Sequence, residues 1–194
     1  MRLSLVVAGM TALVGVSTVA TQVALLWTHP IGHGSTSWSR DSLNRCRQFE
    51  ATDPTIRCSE VAFAPRAPVG IGFSLRNTGP LPLTIVAVGS VGSEESNSLV
   101  EMQPGVPVDD PATFTVPVTR RFAPIDMVAG QEARIDLVGQ MRTCDAVRGH
   151  WSPGTSMRVD VARITVRWLF LTRDVEMPLR DVLQIDAPAD GQCR

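Results

Sequence analysis

The sequence predicts an all-β domain, an immunoglobulin-like antiparallel β-sandwich of seven or eight strands behind one N-terminal transmembrane helix. Three observations predict it. Apolar and polar residues alternate over several short runs from Val69 onward, the period of strands with one buried face. Turn signals rich in Gly, Pro, Asn and Ser separate the runs, and helical periodicity is almost absent. Ahead of them, residues 3–27 contain no Asp, Glu, Lys or Arg, and the charge-free stretch runs on to Ser39.

As a helix, residues 3–27 rise about 37 Å, enough to cross the hydrocarbon core of a bilayer with some tilt. Leu, Val and Ala dominate, Trp27 stands where an interfacial aromatic belongs, and His29-Pro30 ends the helix. A cleaved signal peptide is the alternative. Thr18-Val19-Ala20 is a usable cleavage site, but the apolar run continues past it through Trp27, which a signal peptide does not need. Leu13 and Val19 stand four places after Gly9 and Gly15, so there is no GxxxG pairing motif. Arg2 before the span is nearly balanced by Arg40, Arg45 and Arg47 after a polar spacer, so flanking charge leaves orientation open.

The cysteines decide orientation. Cys46, Cys58, Cys144 and Cys193 form no CxxC and have no zinc spacing with His; an even number behind a membrane-targeting segment predicts two disulfides in an oxidising compartment. Of three pairings, Cys46–Cys58 and Cys144–Cys193 are favoured. The first closes a short loop turning at Asp53-Pro54 and the second ties down the C-terminus, contributing about 3 and about 4 kcal/mol by chain entropy. The expected topology is a cytoplasmic N-terminus with the C-terminal domain extracytoplasmic, or a secreted protein if the leader is cleaved. The expected organisation is an anchor over 1–28, a tether with a disulfide-stapled segment over 29–60, and the sandwich over 61–194.

Taking the chain in order, residues 28–39 are Gly, Ser, Thr and His without periodicity and read as a flexible tether. Its His29 and His33 lack a third ligand for a metal. Residues 41–60 read as a short helix or stapled loop. Val69, Ile71, Phe73 and Leu75 make a strand, and Asn77-Thr78-Gly79-Pro80 a turn in which Asn and Gly can take positive φ. Residues 83–88 return. Residues 89–110 form a polar insertion with at most a short edge strand over 98–102. Phe114, Val116 and Val118 alternate, with Pro117 arguing for an edge. Residues 124–130 turn, and Ala133, Ile135 and Leu137 alternate again. After the loop at His150-Trp151-Ser152-Pro153-Gly154, Met157, Val159 and Val161 open the strongest β pattern, in which Ile164, Val166, Trp168 and Phe170 share a face and Trp168 is core. Thr172-Arg173-Asp174 reads as a turn, and residues 182–185 as a last strand.

Phe73-Ser74-Leu75-Arg76-Asn77-Thr78-Gly79-Pro80-Leu81-Pro82 resembles the strand and RNxGxxP turn of small membrane-anchored proteins of high-GC Gram-positive bacteria. Phe122-Ala123-Pro124, Ala129-Gly130-Gln131-Glu132 leading to Cys144, the strand 164–168, Met177-Pro178-Leu179 and Cys193 complete the pattern, which spans residues 68–193. The resemblance implies an immunoglobulin-like sandwich with no assigned activity. The insertion at 91–111 and the cysteine pair ahead of the sandwich depart from it.

Composition narrows the chemistry. The 194 residues carry a formal net charge of −1 without a basic block, which points away from nucleic acid. All 18 basic residues are Arg; the absence of Lys and Tyr removes a Schiff-base lysine, a phosphate-loop lysine and a tyrosine nucleophile. No glycine-rich phosphate loop follows a strand, so no nucleotide is expected. Outside the tether His150 is the sole imidazole, and Gly34-Ser35-Thr36-Ser37-Trp38 is not a nucleophile elbow. Glu94-Glu95 and Asp109-Asp110 read as solvated loop acids, and Met102, Met127, Met141, Met157 and Met177 as core. No catalytic, cofactor-binding or metal residues are expected. The predicted function is a non-catalytic, membrane-anchored binding or scaffolding module serving an unknown envelope protein, with 91–111 and 46–58 as candidate surfaces. The alternative is a metal- or small-ligand-handling envelope protein using His150 with Asp145 or a Met.

Overall fold

The computed structural model describes residues 30–39, 46, 56–90, 99–107, 119–189 and 191–193. The segment 3–27, the loop acids at 94–95 and 109–110, and the alternation at Phe114, Val116 and Val118 lie outside these residues. Among the described residues no helix is long and apolar enough to cross a membrane.

Among the described residues ten strands and one short helix follow in order: β1 (Ile31–Ser39), β2 (Arg57–Val61), β3 (Pro68–Asn77), β4 (Leu83–Ser90), β5 (Val100–Pro107), β6 (Thr119–Arg121), β7 (Ile125–Met127), β8 (Glu132–Met141), α1 (Cys144–Val147), β9 (Ser156–Trp168) and β10 (Leu171–Asp186). They form two five-stranded sheets, ordered β1-β3-β8-β5-β6 and β2-β10-β9-β4-β7. Neighbours are antiparallel except β2, which runs parallel to β10. The expected all-β two-sheet architecture is present, as a mixed rather than wholly antiparallel sandwich.

Alternation explains the core. Val69, Ile71, Phe73 and Leu75 of β3 and Ile135 and Leu137 of β8 turn inward from the first sheet. Leu83 and Ile85 of β4, Ile164, Val166 and Trp168 of β9, and Leu183 and Ile185 of β10 meet them from the second. Each such burial contributes about 1.5–3 kcal/mol. Met127, Met141, Met157 and Met177 are buried and Met102 packs against them, as expected. A bulge between Pro178 and Leu183 of β10 shifts the register against β9. Inward positions on β9 accordingly move from Val159 to Ala162, leaving Val161 half-buried.

Several expectations are corrected. Residues 31–39 are not a tether but strand β1, paired with β3 from Ile31↔Asn77 to Ser39↔Ile71; the sandwich therefore begins well before residue 61. Residues 57–61 are a strand rather than part of a loop, held on β10 by a two-point Arg57–Asp181 contact at 2.8 Å for each oxygen. The insertion contributes the full strand β5, and the expected turn at 124–130 contains β7. Thr172-Arg173-Asp174 continues β10 instead of turning; the reversal lies at Leu169-Phe170, so Phe170 is 69% exposed rather than inward.

The Asn77 turn works differently from expectation as well. Neither Asn77 nor Gly79 takes a positive φ. Asn77 is fully buried, and its Nδ2 donates to the carbonyls of Leu81 (2.9 Å) and Met127 (3.1 Å) while Oδ1 accepts from Gly79 N (3.0 Å). Its backbone N–H donates to Gln131 O and its carbonyl accepts from Gly130 N.

Both favoured disulfides, Cys46–Cys58 and Cys144–Cys193, are formed, and no cysteine is free. The first fastens the segment before β2; the second clamps α1 to the C-terminus.

Replacing Asn77 by Ala strands the buried Met127 carbonyl and removes the partner of the part-buried Leu81 carbonyl and Gly79 N–H. Urea unfolding is expected to show a loss of about 2–4 kcal/mol, whereas Asn77→Asp, which keeps the acceptor but loses the double donor, falls in the same direction. Exchanging Cys144 and Cys193 for Ser should cost about 4 kcal/mol by the same assay.

Candidate functional site

The outer face of the first sheet departs from an ordinary solvated surface. Across its strands, register aligns Trp38 of β1, Gly72 of β3, Asp136 of β8, Gly105 of β5 and Arg121 of β6 in one row. The Trp38 side chain lies over Gly70 and Gly72, where a Cβ at Gly72 would overlap both the indole nitrogen and Asp136 Oδ1. This is a close approach that glycine permits.

Trp38 Nε1 donates to Asp136 Oδ1 at 2.7 Å, and Arg134 Nε approaches the same oxygen at 3.4 Å. Asp136 is fully buried, and its Oδ2 has no hydrogen-bond partner. Burial pushes its carboxyl above the usual aspartate range, opposed by the indole hydrogen bond and by Arg134. Shut from solvent, the group clamps β1 across β3 onto β8. Three further bonds reinforce the seam: Glu132 Oε2 accepts from Ser35 N and Oγ at 2.9 and 2.8 Å, and Thr36 N donates to Ser74 Oγ at 2.9 Å. The Ser35 bonds hold the Glu132 carboxylate below its ordinary range.

Beside this clamp, β5 and β8 floor an open groove of about 850 Å³. Glu101, Gln103, Val138 and Gln140 line its base; Arg66, Arg121 and Arg142 reach it from the turn after β2, the end of β6 and the end of β8. Arg66 holds a left-handed φ of 62°. Arg142 Nε is buried with no hydrogen-bond partner. An unmet buried donor of this kind costs about 1–3 kcal/mol, relieved by any anionic oxygen that reaches it. Three guanidinium groups against one carboxylate give the groove lining a net positive charge.

The residues singled out in the sequence fall elsewhere. His150 is exposed after α1, and Asp145 is 88% exposed and ion-paired with Arg148 at 3.3 Å. Among the described residues no three His, Cys, Asp or Glu side chains gather as a metal site. His33 lies in β1 rather than a tether; burial, and secondarily Arg180, hold its imidazole below its usual range, toward the neutral form. His29 lies outside the described residues. The groove draws on β5, within the 91–111 candidate surface, but not on 46–58. Its arginines were not found by sequence reasoning, because no spacing relates residues 66, 121 and 142.

No protein-family model matches the chain, and no curated protein matches it in sequence. Three solved structures illustrate the likenesses in shape. A family 123 glycoside hydrolase from Clostridium perfringens is 7% identical with a TM-score of 0.41, over 83% of this chain and 28% of that one. The Vibrio cholerae VesB protease is 11% identical with a TM-score of 0.35, over 67% and 30%. The apo PCuAC domain from PmoF1 is 12% identical with a TM-score of 0.30, over 82% and 96%. The chain thus spans less than a third of the first two proteins, and at these scores none bears on its activity.

The raised Asp136 carboxyl carries a pH signature. Between the ordinary aspartate range and its raised value, the folded state keeps a proton that the unfolded chain has released, so this group's contribution to stability falls as pH rises through that window. Urea unfolding from about pH 4 to about pH 7 should show the parent losing stability relative to Asp136→Asn. A pH-independent difference would place the Asp136 carboxyl at its ordinary value.

Proposed function

We propose that the protein is a non-catalytic, membrane-anchored extracytoplasmic binding module of immunoglobulin-like build, whose arginine groove holds an anionic group of an envelope partner. One observation carries the reading. Arg66, Arg121 and Arg142 come from three separate elements to one groove, and no ion pair compensates them among the described residues. Gathering like charges in this way is unfavourable in the free protein and becomes favourable when carboxylate or phosphate oxygens arrive, since guanidinium forks bind such groups at two points. Glu101 and the floor amides Gln103 and Gln140 add a directional polar pattern.

Two disulfides support an oxidising, extracytoplasmic setting. The charge-free residues 3–27 support an anchor with a cytoplasmic N-terminus. Two sheets facing one apolar core, with consecutive strands β3 and β4 in opposite sheets, support the immunoglobulin-like assignment. The groove's volume also suits a small anionic ligand, which is the second reading.

The test compares tagged full-length protein with the double variant Arg66→Glu/Arg121→Glu after mild detergent extraction. The parent is expected to retain one stoichiometric companion that salt releases. The variant, at unchanged melting temperature, should bind it at least tenfold more weakly, about 1.4 kcal/mol. An unchanged companion would place the partner elsewhere. Calorimetric titration with inorganic phosphate and with a Glu-rich peptide separates the two readings: heat from phosphate alone favours the small ligand.

A further inference from the structure

Five large apolar side chains are conspicuously exposed among the described residues: Leu81, Val128, Leu169, Phe170 and Leu171. All five occupy one end of the sandwich. Leu171 pairs with Trp168 across the β9–β10 reversal, so Leu169 and Phe170 form its tip. Thr84 pairs with Arg167, which sets Leu81, just ahead of β4, beside that tip. Leu83 pairs with Met127, which brings Val128 to the same end. Exposed apolar residues scattered singly are ordinary; a cluster on one end is not.

The tip is also conformationally unfavourable. Leu169 has a φ of 55°, a region where glycine or asparagine is the usual choice in a two-residue reversal. The chain accepts a strained backbone and an exposed leucine at the same residue, a combination that neither folding nor solubility favours.

The third observation is where the chain enters. Pro30 lies at this same end: its carbonyl accepts from Thr78 N at 2.8 Å, and Gly79 lies against it. Two residues, Thr28 and His29, separate Pro30 from Trp27, the last residue of the apolar segment. Three residue steps reach at most about 11 Å, so a Trp27 held at a membrane interface draws this end of the sandwich onto the lipid. Arg167 and Arg173, both exposed, stand two residues to either side of the Leu169–Leu171 tip.

We propose that the Leu169-Phe170 tip, flanked by Leu81, Val128 and Leu171, is a second membrane contact that inserts into the headgroup region of the bilayer holding the N-terminal segment. The inference rests on the anchor reading above. It fixes the posture of the domain: the apolar end faces the bilayer, and the end carrying Cys144–Cys193, Arg66 and Arg142 points away from it. Interfacial insertion of an aromatic and aliphatic tip beside cationic side chains suits the boundary between headgroups and acyl chains.

The experiment uses the full chain in vesicles of mixed phosphatidylethanolamine and phosphatidylglycerol, with an environment-sensitive fluorophore on Phe170→Cys or, as a control at the opposite end, on Ser156→Cys. The fluorophore at position 170 is expected to be several-fold less quenched by aqueous iodide than that at 156, and to be quenched by lipid-attached nitroxide. Equal iodide quenching at the two positions overturns the proposal. Alkaline carbonate extraction reports separately on the anchor: release from the vesicles defeats the anchor reading, while the fluorophore at 170 still decides the tip. A second variant, Leu169→Asn/Phe170→Ser, should leave the melting temperature unchanged or higher. A fall of several degrees would make the tip a folding element and overturn the proposal as well.

Discussion

The sandwich depends on a buried asparagine. Asn77 ends β3, and every polar group it has is spent within the fold: on Gln131 and Gly130 through the backbone, and on Leu81, Met127 and Gly79 through the side chain. Asn77 itself is fully buried, so each of these bonds takes the place of water at one of its own polar groups. Four segments are thereby bound to one residue: the turn into β4, the end of β7, the start of β8 and, through the neighbouring Thr78, the entry at Pro30. The transfer of the chain from the first sheet to the second is fixed here by hydrogen bonds, where an unusual backbone angle would otherwise serve.

That constraint gives the domain two unlike ends. At the Asn77 end, loops are short and apolar side chains face outward, beside the point where the N-terminal segment arrives. At the other end lie α1, the Cys144–Cys193 disulfide and two of the groove's arginines, Arg66 and Arg142. The outer face between them is organised by Trp38, which crosses two glycines to reach Asp136 and so secures β1, a strand with little apolar content of its own. Gly72 and Gly105 flank Asp136 in the same row: the first leaves room for the Trp38 indole and the second for the close approach of Thr119 on β6.

The proposed binding role rests on charge and access. Asp136 is buried and fully engaged on one oxygen, so it organises the face without meeting a ligand. Arg66, Arg121 and Arg142 are brought to the groove by three separate backbone elements, and the groove they line is open. A binder gains from such preorganisation, because little ordering remains to be done when the partner arrives.

The sequence by itself determined the strands whose apolar residues alternate, namely β3, β4, β8 and β9, together with the core methionines and Trp168; of three cysteine pairings it favoured the one that the structure forms. Burial of one face against the other sheet writes a period of two directly into those residues. Where stability comes from other sources, the pattern is silent. The strand β1 is Gly, Ser, Thr and His because it is held by backbone pairing, by Ser35 and Thr36 bonds and by one tryptophan; nothing local distinguishes it from a tether. β2 is held by Arg57–Asp181 and a disulfide, and the first half of β10 is an exposed hairpin arm whose Thr172-Arg173-Asp174 has turn composition without a turn. The alternating Gly70 and Gly72 were a signal that something large covers β3, but not that it is Trp38. Only the tertiary structure joined Trp38 to Asp136, 98 residues apart, gathered three distant arginines into a groove, and set five apolar side chains at one end of the sandwich. Each of these depends on strand order and register, which long-range pairing decides and local sequence does not encode.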